Sequence, residues 1–293
     1  MKDAMKRTLR SLDGLSAGDA FGELFFFIPP EPAVWDDLPA EIWRWTDDTH
    51  MALSIVETLG RYGRIDQDAL ALAFARRYME QPNRGYAGGA RRLLSQIATG
   101  SDWRQVSPNL FGGGSFGNGA AMRVAPLGAF FAGDPQRAAD EARLSAVVTH
   151  SHPEGQAGAM AVAVAASLAA SFPRPSGREF IDEVLRHAPA GITRQRLLLA
   201  REIPAGEHLT AVKTLGTGYE VTAQDTVPFC VWVAAHHLDS YEEALWLTAR
   251  GRGDCDTTCA IVGGIVSLSA DLPPAWLERR EPLPLMEIGV IQG

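Results

Sequence analysis

Apolar residues recur along this chain at spacings of three and four. Met5, Leu9, Leu12 and Leu15 open the pattern, and Leu70, Ala73 and Phe74 with Arg77 continue it within residues 66–81. That period gathers apolar side chains on one face of an α-helix. Asp134 followed by Pro135 reads as an N-cap and a first helical position, for a helix running to Thr149. Ser176 with Glu179, and Ser240 with Glu243, have capping-box spacing ahead of apolar-periodic runs. Residues 51–59, 226–233 and 260–268 read as further helices. The uncharged run 155–173 is rich in Ala and Gly and lacks aromatic flanks, so it reads as a buried core helix and not a membrane span. No stretch alternates like paired strands, and there is no internal repeat. The expectation is all-α: a single compact domain of many packed helices over residues 1–293. Irregular stretches are expected at 27–44 (with Pro29, Pro30, Pro32 and Pro39), 100–119 and 204–221.

Charge and composition narrow the function. The chain has 27 Lys plus Arg against 35 Asp plus Glu, a net charge of −8, with 46% hydrophobic residues. It can bury a large core, which excludes wholesale disorder. Its acidity argues against non-specific nucleic-acid binding, which needs basic patches. Cys230, Cys255 and Cys259 are odd in number, and no apolar segment follows the charged residues 1–10. A reducing cytoplasm therefore fits better than a disulfide framework.

Two acidic motifs stand at expected helix starts. Trp45-Thr46-Asp47-Asp48-Thr49 precedes one apolar-periodic run, and Gly253-Asp254-Cys255-Asp256-Thr257 precedes another. Capping explains one Asp or Thr at such a place, not a cluster of repelling acids. Both motifs offer oxygen donors, which select hard cations such as Mg²⁺ or Mn²⁺. If the two helix starts converge, four carboxylates could hold two metal ions that polarise a substrate oxygen and activate water. Gly112 to Gly119, around Ser115, Phe116, Gly117 and Asn118, form a glycine-rich loop. Such a loop opening a helix exposes N–H groups to an anion, and Phe116 could stack on a base or sugar. It is neither a dinucleotide fingerprint nor a Walker A loop. His150 and His152 lie at a helix junction, where a histidine is as readily a cap as a ligand contact. Cys255 and Cys259 read as packing residues, Trp43 and Trp45 as core anchors, and His236-His237 as structural.

Taken in order, Gly18-Asp19-Ala20, Thr46-Asp47-Asp48-Thr49, Ser115-Phe116-Gly117-Asn118-Gly119 with Met122-Arg123, Thr149-His150 and Gly253-Asp254-Cys255-Asp256-Thr257 resemble the motifs of the ADP-ribosylglycohydrolase family. The resemblance implies an all-α fold and two Mg²⁺ ions, with Mn²⁺ as the alternative. By analogy Thr46, Asp47, Asp48, Asp254, Asp256 and Thr257 would be metal ligands. Ser115, Phe116, Gly117, Asn118, Gly119, Met122 and His150 would bind ADP-ribose. The implied reaction is hydrolysis at C1″ of the distal ribose, which frees ADP-ribose from a modified protein side chain or small molecule. Asp47, Asp48 and Asp256 are the candidate catalytic carboxylates, and the transition state would have oxocarbenium character. The chain departs from the family at one place: four residues after Gly22 several members carry Glu, and here stands Phe26, with Glu23 the nearest carboxylate. A non-catalytic ADP-ribose sensor, or a two-metal hydrolase of another nucleotide or phosphate ester, are the competing readings.

Overall fold

The computed structural model describes residues 1–28, 38–171 and 173–284. Its helices are α1 (Lys2–Glu23), α2 (Asp47–Tyr62), α3 (Gln67–Glu80), α4 (Gly88–Ala98), α5 (Trp103–Asn109), α6 (Ala125–Phe130), α7 (Pro135–Val147), α8 (Pro153–Ala169), α9 (Gly177–His187), α10 (Ile192–Ala200), α11 (His208–Leu215), α12 (Ala223–His236), α13 (Tyr241–Arg250), α14 (Cys255–Val266) and α15 (Pro274–Arg279). No strand forms among the described residues. Two isolated bridges, Trp43 with Arg280 and Gly117 with Thr222, are the nearest approach to one.

Several helix starts follow the local chemistry. The side chains of Asp66, Asp134 and Ser240 accept from the backbone N–H of Ala69, Arg137 and Glu243 respectively. Ser176 precedes α9 as expected, but its hydroxyl makes no cap bond. The stretch 204–221 is not all irregular, since α11 lies inside it. That helix is only 8 residues long and exposes Leu209, so its apolar period is too short to read. Residues 100–119 likewise contain α5, which tolerates Pro108. Much of the expected loop at 27–44, including Pro29, Pro30 and Pro32, lies outside the described residues. Trp43 and Trp45 are buried, as are Cys255 and Cys259.

The central pairing is α1 against α14. Gly14, Gly18 and Gly22 recur every four residues, so they share one face of α1. A Cβ at any of them would run into backbone carbonyls of α14: Gly263 opposite Gly14, Cys259 opposite Gly18, Cys255 opposite Gly22. The two helices therefore run antiparallel at backbone contact. Around the far end of α1, Phe21 packs edge-on against Phe25 and Trp246, at centroid distances of 4.8 and 5.1 Å, and tilted on Trp276 at 4.5 Å. Such aromatic contacts anchor the helix end by area and by ring geometry. Beyond its first turn, which carries Glu154, α8 is uncharged and almost wholly buried, as its composition predicts. Among the described residues no helix is long and apolar enough to cross a membrane.

Candidate active site

The packing of α1 on α14 carries Asp19 beside the start of α2. Asp19 is fully buried and has no cationic partner among the described residues. It accepts instead from Thr46 N (3.0 Å to Oδ2), Thr46 Oγ1 (2.9 Å to Oδ1), Thr49 N (3.0 Å) and Thr49 Oγ1 (2.5 Å). Four donors hold the first turn of α2 in one orientation. Burial still outweighs them and raises the Asp19 pKa to about 6. Thr46 is the N-cap of α2, and its hydroxyl also approaches Asp48 Oδ2 at 3.2 Å. One hydroxyl has one hydrogen, and Asp19 is the nearer acceptor. Asp48 Oδ1 is buried with no donor at all.

Asp47 and Asp48 occupy the first turn of α2, Asp256 that of α14, and Asp254 precedes α14 as its N-cap residue. About two hundred residues apart in sequence, they line one cavity of about 470 Å³. Burial raises Asp47 to about 7, with Asp19 and Asp254 adding to the rise. Asp48 is pushed well up by burial and then by Asp256, Asp19, Asp47 and Asp254. Asp256 is pushed well up by burial and by Asp254 and Asp19. Asp254 is also raised by burial, but hydrogen bonds from Asn118, Asp256 and Thr257 oppose the rise. A bond between two carboxyl groups requires that the pair share a proton.

The same cavity is lined by Ser115, Phe116, Gly117, Asn118, Gly119, Met122, His150 and Thr257. Thr46 lies behind this lining, with its hydroxyl turned to Asp19. Asn118 joins the two ends: its Nδ2 donates to Asp254 Oδ2 at 2.7 Å and to Thr226 Oγ1 at 3.1 Å. The glycine loop does not open an α-helix directly. It passes through a single 3₁₀ turn at Asn118–Ala120 before α6. Its shape comes from pairing with residues 221–223: Asn118 N donates to Val221 O at 3.2 Å, and Ala223 N to Phe116 O at 3.0 Å. Gly114 has a φ of +86°, and a Cβ there would strike Ser151, so glycine is required. The Phe116 ring meets His152 at 5.2 Å.

The two histidines of the α7–α8 junction divide their work. His152 caps α8, its Nδ1 accepting from Glu154 N at 3.1 Å. His150 faces the glycine loop. Arg123, fully buried, donates from Nη2 to Thr149 Oγ1 at 2.7 Å, and Thr149 Oγ1 pairs with His150 Nδ1 at 2.7 Å. Thr149, accepting from Arg123, still has its own hydrogen to give to His150 Nδ1, the arrangement that puts the ring hydrogen on Nε2. Burial and the Arg123 charge lower the His150 pKa to about 3, so the ring is neutral. Burial also lowers Arg123, to about 9, while Tyr86 and Asp47 oppose that shift.

Sequence reasoning gave no role to several of these residues. Asp19 and Arg123 stand within the motifs that carry the resemblance, with no role of their own there. Phe111, at the head of the glycine-rich loop, also lines the cavity, as do Glu220, Val221 and Thr222 from a segment without a motif. Phe111 and Val221 hold left-handed backbone conformations, with φ of 56° and 55°. Glu23 stands one turn beyond Asp19 on α1. Burial, then Asp19 and Asp254, raise it to about 7. The spacing Gly18-Asp19 and Gly22-Glu23 was the available signal. A second cleft, of about 520 Å³ between α2, α3 and α4, contains none of the candidate residues.

The carboxylates fit a hard divalent cation in kind. The donors are all oxygen, Asp48 Oδ1 lacks any partner, and mutually repelling acids stand together in one wall. They are not drawn round a point. Among the described residues no three His, Cys, Asp or Glu side chains are gathered closely enough to hold a metal ion as they stand. Binding would have to pull them inward by side-chain rotation.

The protein is all-helical, and an acidic wall faces a glycine-rich loop across one cavity. Comparison gives the family. A model of the ADP-ribosylglycohydrolase family matches residues 1–289, and the chain belongs to that family. ADP-ribosylhydrolase ARH3 of Bos taurus is 32% identical over 290 residues, covering 87% of this chain and 79% of that one. ADP-ribosylarginine hydrolase Tri1 of Serratia proteamaculans is 23% identical over 308 residues, covering 94% and 76%. A solved structure titled ADP-ribosylglycohydrolase-related protein complex superposes with a TM-score of 0.72 at 24% identity, covering 99% of this chain and 97% of that one. That likeness shows the fold.

Proposed function

We propose that this chain is a divalent-metal-dependent hydrolase of ADP-ribosylated substrates, cleaving the bond between C1″ of the distal ribose and its acceptor. The observation that carries the reading is the convergence of Asp47, Asp48, Asp254 and Asp256 on the cavity that the glycine loop and His150 also line. These four carboxylates, with Thr257, would hold two Mg²⁺ or Mn²⁺ ions, and Thr46 would act from behind through Asp48 and Asp19. Bound there, the ions would supply Lewis acidity toward substrate hydroxyls and water.

The remaining chemistry belongs to the chain. His150 presents an Nε2–H toward Gly117 and Gly119, where a ligand phosphate or hydroxyl can accept it. Phe116, 42% exposed at the cavity edge, offers a ring face to a base or sugar. Asn118 ties the phosphate end to Asp254, so the distance between the two ends is set by one side chain. Asp47, in the cavity wall, is placed to take a proton from an attacking water. A carboxylate beside the reacting carbon also stabilises the positive charge that develops as the glycosidic bond breaks. We place the protein in the cytoplasm because its three cysteines are buried free thiols.

The test is a release assay on ADP-ribosyl-arginine, ADP-ribosyl-serine and O-acetyl-ADP-ribose, after chelation and with Mg²⁺ or Mn²⁺ restored. Release from at least one linkage, abolished by chelation and by Asp47→Asn or Asp256→Asn, is expected. Release that persists in chelator, or an Asp256→Asn variant with native turnover, would refute the metal assignment. Tight ADP-ribose binding with no release from any linkage would favour a sensor.

A further inference from the structure

Arg84 belongs to none of the motifs, yet it grips the segment that carries the acids. Its Nη1 and Nη2 donate to Glu281 Oε2 and Oε1 at 2.7 and 2.8 Å, a two-pronged pair. Nη1 also donates to the Trp45 carbonyl at 3.2 Å. The guanidinium carbon lies 3.6 Å from the centroid of the Trp45 ring. Glu281 is itself anchored: its N–H donates to Trp43 O at 2.8 Å, and Trp43 N–H donates to Arg279 O at 2.7 Å. The two side chains are only 10% and 23% exposed.

Trp45 is bonded directly to Thr46. On the other side of Arg84, Gly85 stands against the same motif. A Cβ at Gly85 would lie 3.0 Å from Asp47 Oδ1 and 3.6 Å from Thr46 Cβ. The peptide leading into α2 is thus held from behind through Trp45 and from the side through Gly85. A carbonyl and a ring fixed by one planar guanidinium leave that peptide a single orientation.

We propose that Arg84, clamped by Glu281 of the C-terminal segment, is a positioning residue for the divalent-cation centre. It sets the orientation of the Trp45–Asp47 segment and so the direction in which Asp47 and Asp48 face the cavity. The inference rests on the metal reading above. Partners hydrogen-bonded to metal ligands change cation affinity by about 10- to 100-fold when lost; Arg84 acts one stage further back, through the Trp45–Asp47 backbone, so the lower end applies.

Charge and positioning make opposite forecasts here. Arg84 is a cation near the centre, and its charge helps depress the pKa of neighbouring His50. By Coulomb's law, removing it should tighten cation binding. If Arg84 acts by position, removing it should weaken binding. The experiment is calorimetric titration of Mn²⁺ into the chelator-treated full chain, as wild type, Arg84→Met and Arg84→Lys. Thermal unfolding in chelator reports on the fold separately. Arg84→Met is expected to weaken Mn²⁺ binding by about tenfold. Arg84→Lys keeps the charge but loses the fork and the planar stack, and is expected to weaken it as well. Equal or tighter Mn²⁺ binding by Arg84→Met overturns the proposal. Should that variant fail to fold, unchanged binding by Arg84→Lys overturns it. A wild type that binds no Mn²⁺ refutes the metal reading and this inference with it, whereas equal binding by all forms refutes this inference alone.

Discussion

Replacing Asp47 by Asn should make the metal-free protein more stable. The native pKa of Asp47 is raised to about 7 from an ordinary 3.8, chiefly by burial. A native pKa above the unfolded one means that the folded state binds the extra proton. This group therefore costs nothing below about pH 4, and the cost grows as pH rises to the native pKa. At about 1.36 kcal/mol per pKa unit, it reaches about 4 kcal/mol at pH 8 and about 2 kcal/mol at pH 5. Asn keeps the shape and removes the charge. In a chain of this size, a gain of about 4 kcal/mol raises Tm on the order of 8 °C. His50 and His150, both lowered to about 3 by burial, titrate in the opposite sense. They destabilise the protein as pH falls below about 6.5 but are present in both forms, so they cancel in the difference. The assay is thermal unfolding in chelator at pH 4, 5 and 8. The gain should be largest at pH 8 and vanish at pH 4. With Mg²⁺ in excess the order should invert, because the wild type gains ligand stabilisation that the variant lacks. A Tm for Asp47→Asn equal to or below wild type at pH 8 in chelator would refute the account of Asp47 as a buried, repelled acid.

Gly18→Ala places a methyl against the Cys259 carbonyl and should cost about 3 kcal/mol of stability in urea unfolding, since overpacking against backbone cannot relax easily. A neutral result would mean that α1 and α14 slide apart without penalty. Thr149→Val breaks the relay from Arg123 to His150. It should cost about 2 kcal/mol through the partly unpaired guanidinium, and nitrogen NMR should show His150 losing its single Nε2–H tautomer. Retention of that tautomer would disprove the relay. Phe116→Ala should weaken ADP-ribose binding by about tenfold while leaving Tm unchanged, as expected for a stacking face that supports no core. Unaltered affinity would remove Phe116 from the ligand site.

The elements legible in the sequence were those with local causes. Asp66, Asp134 and Ser240 each cap the helix that follows because a side-chain oxygen reaches an N–H two or three positions on, and this needs no distant partner. Ser176 has the same spacing but makes no cap bond, which shows that spacing permits a cap without compelling it. α11 is too short to read as a helix, since its eight residues make only about two turns and Leu209 among them is exposed. The glycine loop was legible as a loop. Its 3₁₀ turn and its pairing with Val221 were not, because the other segment of that pairing lies about a hundred residues away.

By itself the sequence determined the helical class, the two clusters of acids at helix starts, and the resemblance that orders the motifs. Only the tertiary structure decided that the clusters face each other. The cause is a stripe of glycines on α1, with Asp19 and Glu23 next to two of them, lying at backbone contact on α14. The structure also sorted the roles. The Thr46 hydroxyl donates to Asp19, His150 faces the cavity while His152 caps a helix, and Arg84, outside every motif, bonds the Trp45 carbonyl. Spacing along a chain fixes which face of a helix a side chain takes. Which atom it meets there depends on what another helix brings to the same place.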